Sequence, residues 1–267
     1  MALLRDRGHT VTAAGHAAEV EVDLRFGDDV RALVERESPD LVVHLGGVTD
    51  PVELIRDPVT GNQGVVQPAV SVLEAVAQAA PAAPVLLGSC VAVVGRPTVL
   101  PVVESSALAP TSLYGAARAA VEYMAQTYRQ RGVRVVVARI FDVVGPGASP
   151  RTLVGEWLAR APSGVLRVGD LELRRDFVDV RDVAAGLAVL GDAATRGTIE
   201  PTYNLCSGRA VRLADLLALV APGARIELDP ARVRRSDPPA LLGSPALAES
   251  LGWSRRYTLE QSVRDMR

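Results

Sequence analysis

Leu41-Val42-Val43-His44-Leu45 is a short apolar run bounded by Pro39-Asp40 before it and Gly46-Gly47 after it. A run this continuous, without polar alternation, predicts a strand covered on both faces. Working outward, Ser38-Pro39-Asp40 ends a helix over Asp28 to Glu37, and Val20–Asp23 and Thr10–Ala14 read as strands before it. Downstream come a helix over Gly61 to Gln78, a second buried strand over Pro84 to Leu87 and a long helix over Ala109 to Gln130. A third buried strand spans Arg134 to Ile140, and Gly145-Pro146-Gly147 closes that region. Strands alternating with helices at this spacing predict a doubly wound parallel sheet with helices on both sides. From Ala148 the pattern loosens into shorter elements and arginine-rich loops, so a main domain over 1–147 and a smaller α/β lobe, mainly substrate-binding, over 148–267 are expected.

The composition is that of an ordinary globular protein: 267 residues, 48% hydrophobic and 22% charged. A net charge of −2 gives no reason to expect nucleic acid or an anionic membrane as partner. All 29 basic residues are arginine. Cys90 and Cys206 make no disulfide framework and suit a reducing compartment. No apolar stretch reaches membrane-spanning length and Ala2-Leu3-Leu4 is too short for a signal peptide, so a soluble cytoplasmic protein is expected. His9, His16 and His44 have no carboxylate or cysteine at ligand spacing, so no metal is assigned.

Tyr114-Gly115-Ala116-Ala117-Arg118 carries the chemistry. A spacing of four in a helix puts the phenol and the guanidinium on one face. At about 5 Å and an effective dielectric near 20 their interaction is about 3 kcal/mol, enough to lower a phenol pKa by roughly two units. Such a pair predicts a tyrosine acid/base; an amphipathic surface helix is the plain alternative.

In sequence order, these residues resemble the extended short-chain dehydrogenase/reductase family, the NAD-dependent epimerases, dehydratases and reductases of sugar nucleotides. Asp23-Leu24, Val43-His44-Leu45-Gly46-Gly47, Asn62, Gly88-Ser89-Cys90, Tyr114 to Arg118, and Arg139-Ile140-Phe141-Asp142 before Gly145-Pro146-Gly147 each resemble one of its motifs. Gly169 to Glu172, Arg174 to Val183, Tyr203 to Gly208, Arg234-Arg235-Ser236-Asp237-Pro238 and Leu251-Gly252-Trp253 resemble its GDP-4-keto-6-deoxy-D-mannose reductase branch. The resemblance implies a Rossmann-like fold that binds NAD or NADP through Asp23, Leu24, Leu45, Gly46, Gly47, Asn62, Tyr114 and Arg118. It implies catalysis by Tyr114 with Arg118 and a hydroxyl at Ser89, and nucleotide-sugar contacts at Asp142, Arg175 and Arg234. A homodimer paired through the helices from Gly61 and Pro110 is expected on the same ground.

The implied activity is an NAD(P)-dependent reduction of a nucleotide-activated 4-keto-6-deoxy sugar, close to GDP-4-keto-6-deoxymannose. A 4-epimerase or dehydratase of the same family and a non-catalytic sugar-nucleotide-binding module stand as alternatives. Four departures from the family pattern bear on these readings. Counting back from Gly95 puts Cys90 rather than Ser89 in the hydroxyl position; Ser89 is favoured because a thiol is a poor donor. Arg118 stands for lysine, keeping the charge but replacing a compact ammonium with a planar fork. Asp142 stands for asparagine, and a carboxylate there repels a diphosphate. The opening strand and Gly-x-x-Gly-x-x-Gly turn have no counterpart ahead of Thr10, which points to a late start, a fragment or a sheet closed in another way. With that strand absent, two inner strand edges are expected to lie unpaired. Asp176, Asp179 and Asp182 read as caps and braces, and Trp157 and Trp253 as packing aromatics.

Overall fold

The computed structural model describes residues 2–267 except Ala17, Thr49, Thr198, Arg235 and Ser236, together with the side chain of Ser163. The elements run α1 (Ala2–Asp6), α2 (Gly27–Glu37), β1 (Val42–His44), α3 (Pro51–Arg56), α4 (Pro58–Ala79), β2 (Val85–Cys90), α5 (Leu113–Gln130), β3 (Val135–Ile140) and β4 (Asp142–Val144). They continue with α6 (Leu153–Arg160), β5 (Val165–Val168), β6 (Arg174–Asp179), α7 (Val180–Arg196), β7 (Thr202–Leu205), β8 (Ala210–Arg212), α8 (Leu213–Val220), β9 (Arg225–Leu228), α9 (Ala246–Ser250) and α10 (Leu259–Arg264).

Strands β1-β2-β3-β7 form one parallel sheet in that order. Its central strands β2 and β3 are apolar on both faces because helices cover both. Val85, Leu87, Val135 and Val137 pack with α2, α4 and α5, whereas Leu86, Val136 and Ala138 pack with α7, Tyr203 and Trp253. The two-residue period of a strand thus assigns alternate residues to opposite layers. β7 joins this sheet and α7 packs on it, so part of the chain beyond residue 147 builds the main domain. β4, from before that boundary, and the rest of the second half build a lobe of two small sheets, β4-β6-β8 and β5-β9, around Trp157, Leu166, Phe177 and Leu216.

Two expected strands are corrected. Among the described residues, Thr10–Ala14 and Val20–Asp23 join no sheet and share only one bridge, Ala14 to Val20. A strand needs a neighbour for its backbone groups, and neither segment reaches β1. Of the two inner edges expected to lie unpaired, therefore, one is present: β1 ends the sheet, leaving Val43 and Leu45 exposed. Trp157 and Trp253 are both buried, as expected of packing residues. Among the described residues no helix is long and apolar enough to cross a membrane.

Candidate functional site

A cleft of about 1790 Å³ opens over the carboxyl ends of the sheet strands, between the sheet and the lobe. Ligand sites commonly lie there in open parallel sheets. Typical single-ligand pockets reach about 1,000 Å³, so this one has room for a dinucleotide and a second ligand together. Its walls run from Ala14, Asp23 and Leu24, past Gly46, Gly47, Cys90 and Tyr114, to Asp142, Arg175 and Arg234.

Helix α5 delivers Tyr114. Ser112 caps it, its hydroxyl accepting from the Gly115 backbone N–H at 3.1 Å. Gly115 allows the first turn to lie against Ala92: a Cβ there would stand 2.5 Å from the Ala92 carbonyl oxygen. That close approach sets Tyr114 beside the end of β2. Arg118, one turn on, donates from Nε to the Tyr114 hydroxyl at 3.2 Å, and its Cζ lies 5.3 Å from the ring centroid. The guanidinium is buried, and its Nη2 donates to the Val48 carbonyl at 3.2 Å. Arg118 therefore braces the phenol from behind and does not line the cleft.

The placement of Ser89 is a correction. Its Oγ donates to Glu122 at 2.6 Å, inside the layer between sheet and α5. Glu122 in turn is gripped by Arg139, the cross-strand partner of Ser89, at 2.8 Å; both charged side chains are 6% exposed. The next residue along β2 points the other way, so Cys90 meets the cleft beside Tyr114. Burial pushes the Cys90 thiol up, keeping it neutral.

The acidity expected of Tyr114 is also corrected. Burial raises its pKa first, the neighbouring Cys90 adds to that, and Arg118 only partly opposes them. The guanidinium pull is present, but desolvation of the phenolate outweighs it. Tyr114 is thus a neutral phenol with a proton to give.

The other predicted residues separate into two groups. Asp23, Leu24, Gly46 and Gly47 line the cleft. Arg25 donates to both carboxylate oxygens of Asp23, which holds that group down to about 2. Leu45 and Asn62 do not line it: Leu45 packs against Gly88, and the Asn62 amide donates to the Pro58 carbonyl at 2.8 Å within α4. Helix α4 begins at Pro58, capped by Asp57, so Asn62 sits a full turn inside rather than at its opening.

On the lobe side, Arg175 is almost buried, with Nη1 donating to the carbonyls of Arg174 and Pro238. Asp142 and the exposed Arg234 face the same cleft; Arg235 and Ser236 of that motif lie outside the described residues. Asp176, Asp179 and Asp182 are braces, as expected. Asp176 accepts from the backbone N–H groups of Ser207, Gly208 and Gly243; Asp179 caps α7; and Asp182 accepts from those of Arg256 and Tyr257. Among the described residues no His, Cys, Asp and Glu cluster could hold a metal ion.

The residues fit a nicotinamide dinucleotide at two places. Gly46 and Gly47 give backbone without side chains along one wall, and a Cβ at Gly47 would meet the Gly64 carbonyl oxygen at 2.8 Å. Tyr114 stands farther along the cleft and carries a phenolic proton there.

Comparison with known proteins identifies the family. The model of the NAD dependent epimerase/dehydratase family matches residues 1–206. The chain is 32% identical over 243 residues to a GDP-6-deoxy-D-mannose reductase of Pseudomonas aeruginosa, covering 85% of this chain and 79% of that one. It is 26% identical to a UDP-glucose 4-epimerase of Cyamopsis tetragonoloba, covering 91% and 76%. Among solved structures, that of RMD from Pseudomonas aeruginosa complexed with NADPH superposes with a TM-score of 0.82 at 29% identity, covering 99% of this chain and 92% of the other. With the sheet, the cleft and the Tyr114–Arg118 pair in place, the chain belongs to the NAD dependent epimerase/dehydratase family and is an NAD(P)-dependent enzyme of that family.

Proposed function

We propose that the protein reduces a nucleotide-activated 4-keto-6-deoxy sugar, with a GDP-linked 4-keto-6-deoxymannose as substrate. The neutral phenol of Tyr114 carries this reading. Reduction of a ketone asks the enzyme for a proton donor, whereas an epimerase or dehydratase must first remove a proton from an alcohol. Burial and Cys90 favour the protonated phenol over the phenolate, which suits the first task. The resemblance to a reductase of GDP-6-deoxy-D-mannose supports the same choice.

When bound, the reduced nicotinamide supplies the hydride that reaches the sugar carbonyl carbon. This chain supplies the rest. Tyr114 donates its proton to the carbonyl oxygen as the C=O bond becomes C–O–H and is reprotonated from solvent. Arg118 holds the phenol in position through its Nε bond and eases the transient phenolate by its charge. Cys90 takes the place beside the reacting oxygen, a weak donor where a hydroxyl would be a stronger one. Arg175 and Arg234 face the diphosphate, to which a guanidinium fork can bond through two oxygens. Helices α4 and α5 pair with a second copy of the chain, a reading supported by the exposed Tyr123 and Met124 on α5.

Incubating the protein with NADPH or NADH and GDP-4-keto-6-deoxymannose tests this. Stoichiometric loss of reduced cofactor with formation of a 6-deoxyhexose is expected. Interconversion of 4-epimers of a sugar nucleotide without net cofactor consumption would replace the proposal with the epimerase reading.

A further inference from the structure

Asp142 begins β4 and pairs in register with Phe177 of β6, so it meets the cleft beside Arg175, two residues earlier on β6. Among the described residues, no donor hydrogen-bonds its carboxylate. Three charged groups act on it from the elements packed around it: Arg175 and Asp176 of β6, and Asp237 of the loop after Arg234. Two of the three are carboxylates. The single cation, Arg175, already spends Nη1 on two backbone carbonyls. A carboxyl left without donors, with two other carboxylates beside it, is placed to keep its own proton and offer it to a ligand oxygen.

Resting on the reductase reading above, we propose that Asp142 grips the nucleotide sugar as a carboxylic acid, donating a hydrogen bond to a substrate oxygen, and that its ionisation expels the substrate. The geometry explains how an acid can stand in a site for a diphosphate: protonated, it is an uncharged donor with the reach of an amide. Burial, with the two neighbouring carboxylates, pushes Asp142 up to about 6 against the pull of Arg175. A diphosphate placed in the same cleft raises it further, so binding takes up a proton. The sign follows: substrate is held tightly below the titration and released as pH rises through it. Above that point the acid form falls tenfold per pH unit, and affinity falls with it.

Calorimetric titration with GDP-mannose tests this, because its diphosphate is a diester with no ionisation near neutrality. For the wild-type protein, Kd should rise about tenfold per pH unit above neutrality, and binding should take up close to one proton near pH 7. Asp142→Asn should bind tightly with a flat profile and no proton uptake, while Asp142→Ala should be equally flat but about tenfold weaker. A flat wild-type profile, an unchanged slope in Asp142→Asn, or equal affinity of the two variants would overturn the proposal and leave the reductase reading standing. Binding of NADPH but of neither GDP-mannose nor UDP-glucose at any pH would overturn both.

Discussion

The Cys90 thiol and the Tyr114 phenol are neighbours on the cleft wall, at the point where the end of β2 meets the first turn of α5. Ser89, one residue earlier, is turned into the sheet–helix layer and bound to Glu122. A thiol, not a hydroxyl, therefore faces the cleft beside the phenol, and on the proposed mechanism it meets the reacting oxygen. A neutral hydroxyl hydrogen bond is stronger than a thiol one by about 1 kcal/mol. Cys90→Ser should raise kcat about fivefold, measured by steady-state reduction, whereas Ser89→Ala should leave kcat within a factor of two and lower stability. Loss of activity in Ser89→Ala with an intact fold would contradict this assignment.

Removing the proton donor gives a larger effect. Tyr114→Phe should lower kcat by about 10²–10⁴-fold, the usual range for a positioned acid. NADPH affinity, followed by nicotinamide fluorescence, should change little, because the ring and its packing remain.

The pH dependence of kcat follows from the raised Tyr114 pKa. The phenol must be protonated to donate, and burial extends that form to higher pH. At saturating substrate, kcat for reduction should hold across neutrality and fall only above about pH 10, the ordinary phenol value. A fall near pH 8 would show that Arg118 prevails over burial.

His44 makes the protein sensitive to acid. It is 4% exposed, and burial, then the charge of Arg118, depresses it to about 4. The unfolded chain binds the proton more tightly, so stability present above about pH 6.5 is lost as pH falls toward 4. The loss is on the order of 3 kcal/mol, and His44→Leu should remove that slope in urea titrations.

The buried Glu122–Arg139 pair is a brace rather than a catalyst. Breaking it by Glu122→Ala leaves a buried guanidinium without its partner and should cost about 3–5 kcal/mol, read from denaturant midpoints. Glu122→Leu with Arg139→Met should recover much of that loss.

Much of this protein was legible in its residues. The apolar run at Arg134–Ile140 specifies a buried parallel strand, covered on both faces as such a run requires. The run at Leu41–Leu45 also gives a parallel strand, but at the sheet edge and with Val43 and Leu45 exposed. The spacing from Tyr114 to Arg118 placed phenol and guanidinium on one helix face, and both are found there. The strand expected at Thr10–Ala14 failed because a strand exists only with a neighbour, and local sequence does not supply one.

Two further points depended on assembly. Ser89 and Cys90 are adjacent, and composition cannot say which faces the cleft; the register with β3 decides it, since Ser89 pairs with Arg139 on the side of Glu122. Likewise, the acidity of Tyr114 follows a balance between a charge visible in the sequence and a burial visible only once α5 packs against Ala92. Sequence determined which groups are present and at what helical or strand spacing. Tertiary structure decided which were desolvated and which met, because burial and contact arise between segments far apart along the chain.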